Sequence, residues 1–120
     1  MSETITKAPN PFDALHAMHH ATMRVLRELP LDLSQRQLAT LLHIYMAQPP
    51  HTVGSLSEQL TISKPAICRA LDMLSLHDLV RRKKDEEDRR VVYLQRTVAG
   101  SVFLRDLGDI YAQEMLQKAA

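Results

Sequence analysis

Between Leu60 and Gly100 a capped helical pattern runs straight into two short alternating strands, and few folds accept that order of elements. The helical part opens at Ser63-Lys64-Pro65, where serine suits the N-cap and proline sits in the first turn, where its missing N–H costs little. Ile67, Ala70, Leu71 and Leu74 recur at helical spacing, which leaves Lys64, Cys68, Arg69 and Asp72 near the opposite, polar face. Leu79 to Lys83 and Val91 to Gln95 then read as strands, joined by the charged segment Lys84 to Arg90. A preceding short helix, Val53 to Leu60, capped by Thr52 and carrying Leu56 and Leu60 inward, completes a helix-turn-helix. The fold expected is mainly α with a small β-hairpin, a winged helix-turn-helix.

The rest of the chain frames this core. Ser34 and Gln37 have the spacing of a capping box and open a helix through Leu38, Leu41, Leu42 and Tyr45 that Pro49-Pro50 stops. From Phe12 to Leu29, Leu15, Met18, Val25 and Leu26 follow helical spacing up to Pro30. Thr97 is expected to cap a last helix whose Val98, Val102, Leu104, Leu107, Ile110, Tyr111 and Leu116 spread over more than one face, so that it needs a further partner. Residues 1–10 read as a flexible arm and 11–120 as one domain. Within that domain, 34–96 form the core, and the terminal helices 11–29 and 97–118 pair with those of a second copy. Methionines 18, 23, 46, 73 and 115 are expected as core filler or pocket lining.

Composition excludes more than it assigns. A single cysteine rules out an internal disulfide framework. No apolar run reaches the roughly 18 residues of a membrane span, and the N-terminus is expected not to be a signal peptide, so a cytoplasmic location fits. With no tryptophan and 4% aromatic residues, a stacking platform for single strands is poorly supported. Nor does any phosphate-cradling glycine loop or nucleophile-base arrangement stand out, so no enzyme and no cofactor are expected. The net charge of +1 hides an uneven distribution. Residues 63–96 hold nine Lys and Arg against six Asp and Glu, whereas the remainder holds six against eight. That local basic excess, together with the capped helix and the hairpin, points to double-stranded DNA. Because strand geometry sends alternate residues of Arg81, Arg82, Lys83 and Lys84 to opposite faces, only some of them can meet one phosphate backbone. Lys83 and Lys84 are the candidate phosphate contacts, the alternative being a solvated edge strand guarded by charge.

The run Ser63-Lys64-Pro65-Ala66-Ile67-Cys68-Arg69-Ala70-Leu71-Asp72-Met73-Leu74, followed by Leu79-Val80-Arg81-Arg82, Asp85 to Arg90, and Thr97-Val98-Ala99-Gly100, closely resembles the MarR family of transcriptional regulators. The resemblance implies a dimeric DNA-binding protein, usually a repressor relieved by a small ligand or by oxidation, acting on a pseudo-palindromic operator. By matching position it implies that Ser63, Lys64, Cys68 and Arg69 face the major groove. Asp88 and Arg90 match the family's wing Asp-x-Arg, so that Arg90 or its neighbour Arg89 enters the minor groove while Asp88 holds the arginine in place. Three departures stand out. Asp78 replaces a frequent glycine, and a left-handed turn is expected to survive there. Arg96 replaces an apolar strand residue and is expected to be exposed or phosphate-facing. The chain also ends at Ala120 with little room for a further helix, so a smaller or differently built dimer is expected.

Two other features carry alternatives. His16, His19 and His20 share a helical face that suits zinc or a similar metal, with His43 or a second subunit as fourth ligand, or else form a polar face or dimer contact. Protonation of the cluster near neutral pH is a further option. Cys68 is an oxidisable thiol beside Arg69, an inert small side chain, or a contact to a thymine methyl. The alternative for the whole chain is a winged-helix protein-interaction module that docks its basic hairpin on an acidic partner, with no DNA operator.

Overall fold

The computed structural model describes residues 10–119, with side chains through Leu116, so that all of the N-terminal arm except Asn10 lies outside the described residues. The chain forms α1 (Pro11–Glu28), α2 (Gln35–Met46), α3 (Val53–Leu60), α4 (Lys64–Leu76), β1 (Val80–Lys84), β2 (Val92–Arg96) and α5 (Val98–Ala119). These divide into two compact units, one of Leu33–Arg105 and one of Met1–Asp32 with Asp106–Ala120, so α5 is shared between them.

In the Leu33–Arg105 unit each helix starts where a side chain takes over a backbone donor that the helix leaves free. Ser34 and Gln37 form the expected capping box, Thr52 forms another with Ser55, and the Ser63 hydroxyl accepts from the Ala66 N–H at 3.3 Å. Such caps contribute about 1 kcal/mol each. Between α3 and α4 the chain reverses through Thr61 in a left-handed conformation (φ 55°), at the Thr61-Ile62 turn that the sequence leads one to expect, although no glycine occupies it. Ser57 steadies this turn by donating to the Ile62 carbonyl at 2.6 Å. Leu41 and Ile44 of α2, Leu56 of α3 and Ile67, Leu71 and Leu74 of α4 are fully buried, so the expected α4 stripe is the core.

The strands stand one residue later than the pattern predicts. They pair antiparallel from Val80 with Arg96 to Lys84 with Val92. A short third edge escapes sequence reading altogether, because two residues are too few to show a period. The His51 carbonyl accepts from the Leu94 N–H at 2.8 Å, and Thr52 bridges Tyr93.

At the base of the hairpin, Asp78 takes the left-handed conformation expected of it (φ 57°). Its carbonyl accepts from the Thr97 hydroxyl at 2.7 Å, and that hydroxyl in turn accepts from the Gly100 N–H at 2.9 Å, making Thr97 the cap of α5. The Tyr45 hydroxyl donates to the Leu79 carbonyl at 2.7 Å and accepts from the Thr97 N–H at 2.8 Å. Gly100 is required there, since a Cβ would overlap the Tyr45 hydroxyl and the Leu79 backbone.

Arg96 is exposed, one of the two expected outcomes, and has a structural duty besides. Its guanidinium donates to the carbonyls of Ile44 at 3.0 Å and Ala47 at 3.1 Å, capping the C-terminal end of α2 rather than facing phosphate. The last carbonyls of a helix lack partners and carry partial negative charge, so a cation within reach is drawn to them. Beside it, His51 is 2% exposed, with its Nε2 3.3 Å from the Ala47 carbonyl and its Nδ1 without a partner.

In the other unit, Ala17 and Ala21 are the buried residues of α1, whereas Phe12, Leu15, Met18 and Leu26 are exposed. Arg24 joins Glu28 at 2.7 Å and Glu114 of α5 at 3.0 Å, and the hydrogen bond from Arg24 holds the Glu28 carboxyl below its usual range. Methionines 18, 23, 46, 73 and 115 are all exposed, so they are not core filler. In α5, Phe103, Leu107 and Ile110 are buried, while Val98, Val102 and Leu116 are open.

Two stability predictions follow from these positions. Gly100→Ala should lower unfolding free energy by about 1–3 kcal/mol or more, because backbone lines its site, whereas Gly108→Ala, with nothing near its Cβ position, should raise it by about 0.5–1 kcal/mol. Urea titration of the two variants gives opposite signs. Burial pushes His51 below its ordinary value of 6.5, so the unfolded chain takes up its proton first. Its contribution is therefore complete above about pH 6.5 and is lost as pH falls below it. A urea midpoint series from pH 7.5 downwards should fall more steeply for the wild type than for His51→Gln.

Candidate nucleic-acid interface

Two surfaces of the Leu33–Arg105 unit carry the basic residues singled out above. The first is the outer side of α4. Burial of Ala66, Ile67, Ala70, Leu71 and Leu74 turns Ser63, Lys64, Cys68, Arg69 and Asp72 outward, and all five are exposed. Lys64, Cys68 and Asp72 are each one turn apart, with Arg69 beside them. The helix N-terminus at Ser63 adds its partial positive charge to that of Lys64, which suits an anion. The Cys68 thiol is free and exposed.

The second surface is the hairpin. By its register, Val80, Arg82 and Lys84 share a face with Val92, Leu94 and Arg96, and Arg81 and Lys83 share the other with Tyr93 and Gln95. Val80 and Leu94 are buried, so the first face is the one turned to the core. Arg82, on that face, reaches α4: its Nη2 donates to Asp72 Oδ1 at 2.8 Å and lies 3.4 Å from the Cys68 carbonyl. Lys83 and Lys84 are exposed on opposite faces, so they do not act as one cationic pair.

At the tip, acidic side chains hold the backbone. Asp85 Oδ2 accepts from the N–H groups of Asp88 at 2.8 Å and Glu87 at 3.2 Å. Asp88 Oδ1 accepts from Arg90 Nε at 3.0 Å and from the Arg90 N–H at 3.1 Å, and Oδ2 accepts from Nη2 at 3.2 Å. The hydrogen bonds from Arg90 hold the Asp88 carboxyl below its usual range, and Asp88 in turn raises the guanidinium. The Arg90 side chain is nonetheless 91% exposed, a fixed charge at the end of a braced arm. Arg89 beside it is exposed as well. Sequence reading missed Asp85; its signal is an aspartate two and three residues before donors that need an acceptor, the pattern of an Asx turn.

Within one chain the described histidines are not gathered as metal ligands. His16, His19 and His20 are exposed, and the rings of His19 and His20 lie 5.2 Å apart and tilted. Among the described residues no three His, Cys, Asp or Glu side chains come together as a metal site. His43, the expected fourth ligand, is engaged elsewhere, with its Nε2 2.6 Å from Gln59 Oε1.

A capped helix-turn-helix with a basic outward face, followed by a hairpin whose tip presents a braced arginine, defines a winged-helix protein. The family model for the MarR family matches residues 33–92, half of the chain, and the chain belongs to that family. Among curated proteins none matches the sequence. Solved structures share the fold. S. aureus MepR in its complex with DNA is 22% identical with a TM-score of 0.71, over 83% of this chain and 80% of that one. Streptococcus pneumoniae FabT in complex with DNA is 24% identical with a TM-score of 0.68, over 90% and 73%. The transcriptional repressor CouR, bound to a 23-mer DNA duplex, is 24% identical with a TM-score of 0.70, over 88% and 72%. No helix among the described residues is long and apolar enough to cross a membrane.

The Asx turn gives a direct test of how the tip is built. Asp85→Ala should leave global stability within about 1 kcal/mol, while the amides of Glu87 and Asp88 exchange faster with solvent by NMR. Unchanged exchange at both would contradict the bracing role.

Proposed function

We propose that the chain is a sequence-specific transcriptional regulator of double-stranded DNA, acting as a dimeric repressor on a pseudo-palindromic operator in the cytoplasm, by binding rather than by catalysis. One observation carries the reading: the outward face of α4 and the braced wing-tip arginine belong to the same compact unit, so one module presents a helix for a major groove and a cation for a minor groove. Membership in the MarR family supports it, as do the DNA complexes of MepR, FabT and CouR.

In this reading Ser63, Lys64, Cys68 and Arg69 approach base edges and adjoining phosphates. Arg69 has the reach and the planar fork to pair with a guanine edge. Lys83 and Lys84 meet phosphate from opposite faces of the hairpin, which suits separate strands. Arg90, with Arg89 beside it, enters a narrow minor groove, where negative potential is concentrated. Asp88 holds Arg90 ready, so less side-chain freedom is lost on binding. The second copy joins through the unit that holds α1, where Phe12 is 74%, Leu15 58% and Leu26 63% exposed, more apolar surface than a lone helix leaves in water without a partner. Two modules related by a twofold axis then read half-sites about 34 Å apart.

Selection from a random duplex library should recover a pseudo-palindrome, with affinity that falls steeply as salt rises. On that duplex Arg69→Ala should bind about 5- to 150-fold more weakly and lose discrimination at one position of each half-site. Arg90→Ala should weaken binding to all sequences with similar minor-groove width. Equal binding by wild type and both variants would remove the site assignment, and recovery of no motif at all would favour a protein-interaction module.

A further inference from the structure

We infer that Asp72 and Arg82 form a positioning pair that sets the angle between wing and recognition helix, so that Arg82, although it lies in a run of four cations, is not a phosphate contact. The inference rests on the DNA-binding reading above and adds two residues to it. Its basis is geometric. Arg82 stands opposite Leu94 on the core-facing side of the hairpin, two residues beyond buried Val80. Its Nη2 meets two acceptors of α4 that lie one turn apart, the Asp72 carboxylate at 2.8 Å and the Cys68 carbonyl at 3.4 Å. Among the described residues this is the outermost hydrogen bond from the hairpin to α4.

Position along the hairpin gives the pair its leverage. From Arg82 to the turn at Asp85 the strand advances about 10 Å, so a tilt of about 15° at Arg82 moves the tip by about 2.5 Å. That displacement is enough to break a hydrogen bond between a wing arginine and a groove. The pair itself is solvent-facing, with side-chain exposures of 37% and 69%, and a pair so exposed adds little to folding stability. Asp72 also stands on the outward face of α4, one turn from Cys68 and near Arg69, where a negative charge opposes the approach of phosphate. A positioning role accounts for an acid at that place.

Electrostatics and positioning predict opposite signs for one isosteric change. If Asp72 is only a charge near DNA, Asp72→Asn binds more tightly; if it holds Arg82, the variant binds more weakly. The measurement is affinity by fluorescence anisotropy on the duplex recovered by selection, across a salt series, with melting temperature recorded for each protein. Asp72→Asn and Arg82→Gln should each bind about tenfold more weakly, and the double variant should be no weaker than either single one, because both remove the same coupling. The exchanged pair, Asp72→Arg with Arg82→Asp, keeps the net charge and should recover most of the affinity. Melting temperatures should stay within a few degrees. Asp72→Asn binding as tightly as wild type or more tightly would overturn the inference. So would a salt slope for Arg82→Gln lower by about one, the mark of a lost phosphate contact. If the wild type itself selects no motif, the regulator reading fails and the positioning role goes with it, a result separate from either of those.

Discussion

The Tyr45 hydroxyl is the point on which the wing's placement depends. It reaches from α2 to the Leu79 carbonyl just before β1 and to the Thr97 backbone just after β2, so one side-chain oxygen closes both ends of the hairpin onto the helical core. These backbone groups lie where neither strand nor helix supplies partners, and leaving them unmet in a buried place costs about 1–3 kcal/mol for each. Gly100 is bound to the same arrangement, because α5 can pass this close to Tyr45 only without a side chain. Thr97 closes the circuit by spanning from the Asp78 carbonyl to the Gly100 N–H. Within the Thr97-Val98-Ala99-Gly100 segment, Thr97 and Gly100 are thus packing requirements of the wing base, while Val98 and Ala99 face outward.

Much of this was legible in the sequence because caps and periods are local. Ser34 with Gln37, Thr52, Ser63 and Thr97 each mark a helix start correctly, and the α4 stripe is buried as the spacing requires. What was not legible depends on who meets whom at long range. Arg96 in an otherwise apolar pattern looks like a surface cation, and only the fold brings the end of α2 to it. The His51–Thr52 edge is too short for periodicity. Along α1, uncovered apolar surface is expected, but that Ala17 and Ala21 would be its buried residues is not announced by the spacing. Small residues permit close approach of a neighbouring backbone, and the bulky ones are then left outside. The methionines lie outside the core for a related reason: their flexibility fits them to core gaps and to open surfaces equally well.

For the candidate interface, residue identity was legible and residue duty was not. A run of four cations looks uniform, but strand alternation and the position of α4 assign Arg82 an acceptor and leave Lys83 and Lys84 exposed. The acidic run after it resembles a screen against phosphate. In the structure its first and last members are engaged, Asp85 with backbone N–H groups and Asp88 with Arg90. Only Glu86 and Glu87 remain as exposed acids at the tip. Counting charges therefore overstates repulsion, because a carboxylate already accepting hydrogen bonds presents its charge as part of a local pair.

This distribution bears on how such a module can discriminate among DNA sequences. With a net charge of +1, long-range attraction to a polyanion is modest, and binding must draw on contacts made at short range. Short-range contacts discriminate best when their donors are already in place, since each side chain that must be immobilised costs about 0.5–1.5 kcal/mol. Arg90 is held by Asp88 and the hairpin is tied at its base by Arg96 and farther out by Arg82, all before any partner arrives. On the proposed reading, a duplex of the wrong shape would meet a wing that these bonds hold against bending. In the proposed reading the cations of the wing are thereby made to depend on groove geometry, and selectivity would follow from rigidity rather than from the amount of charge.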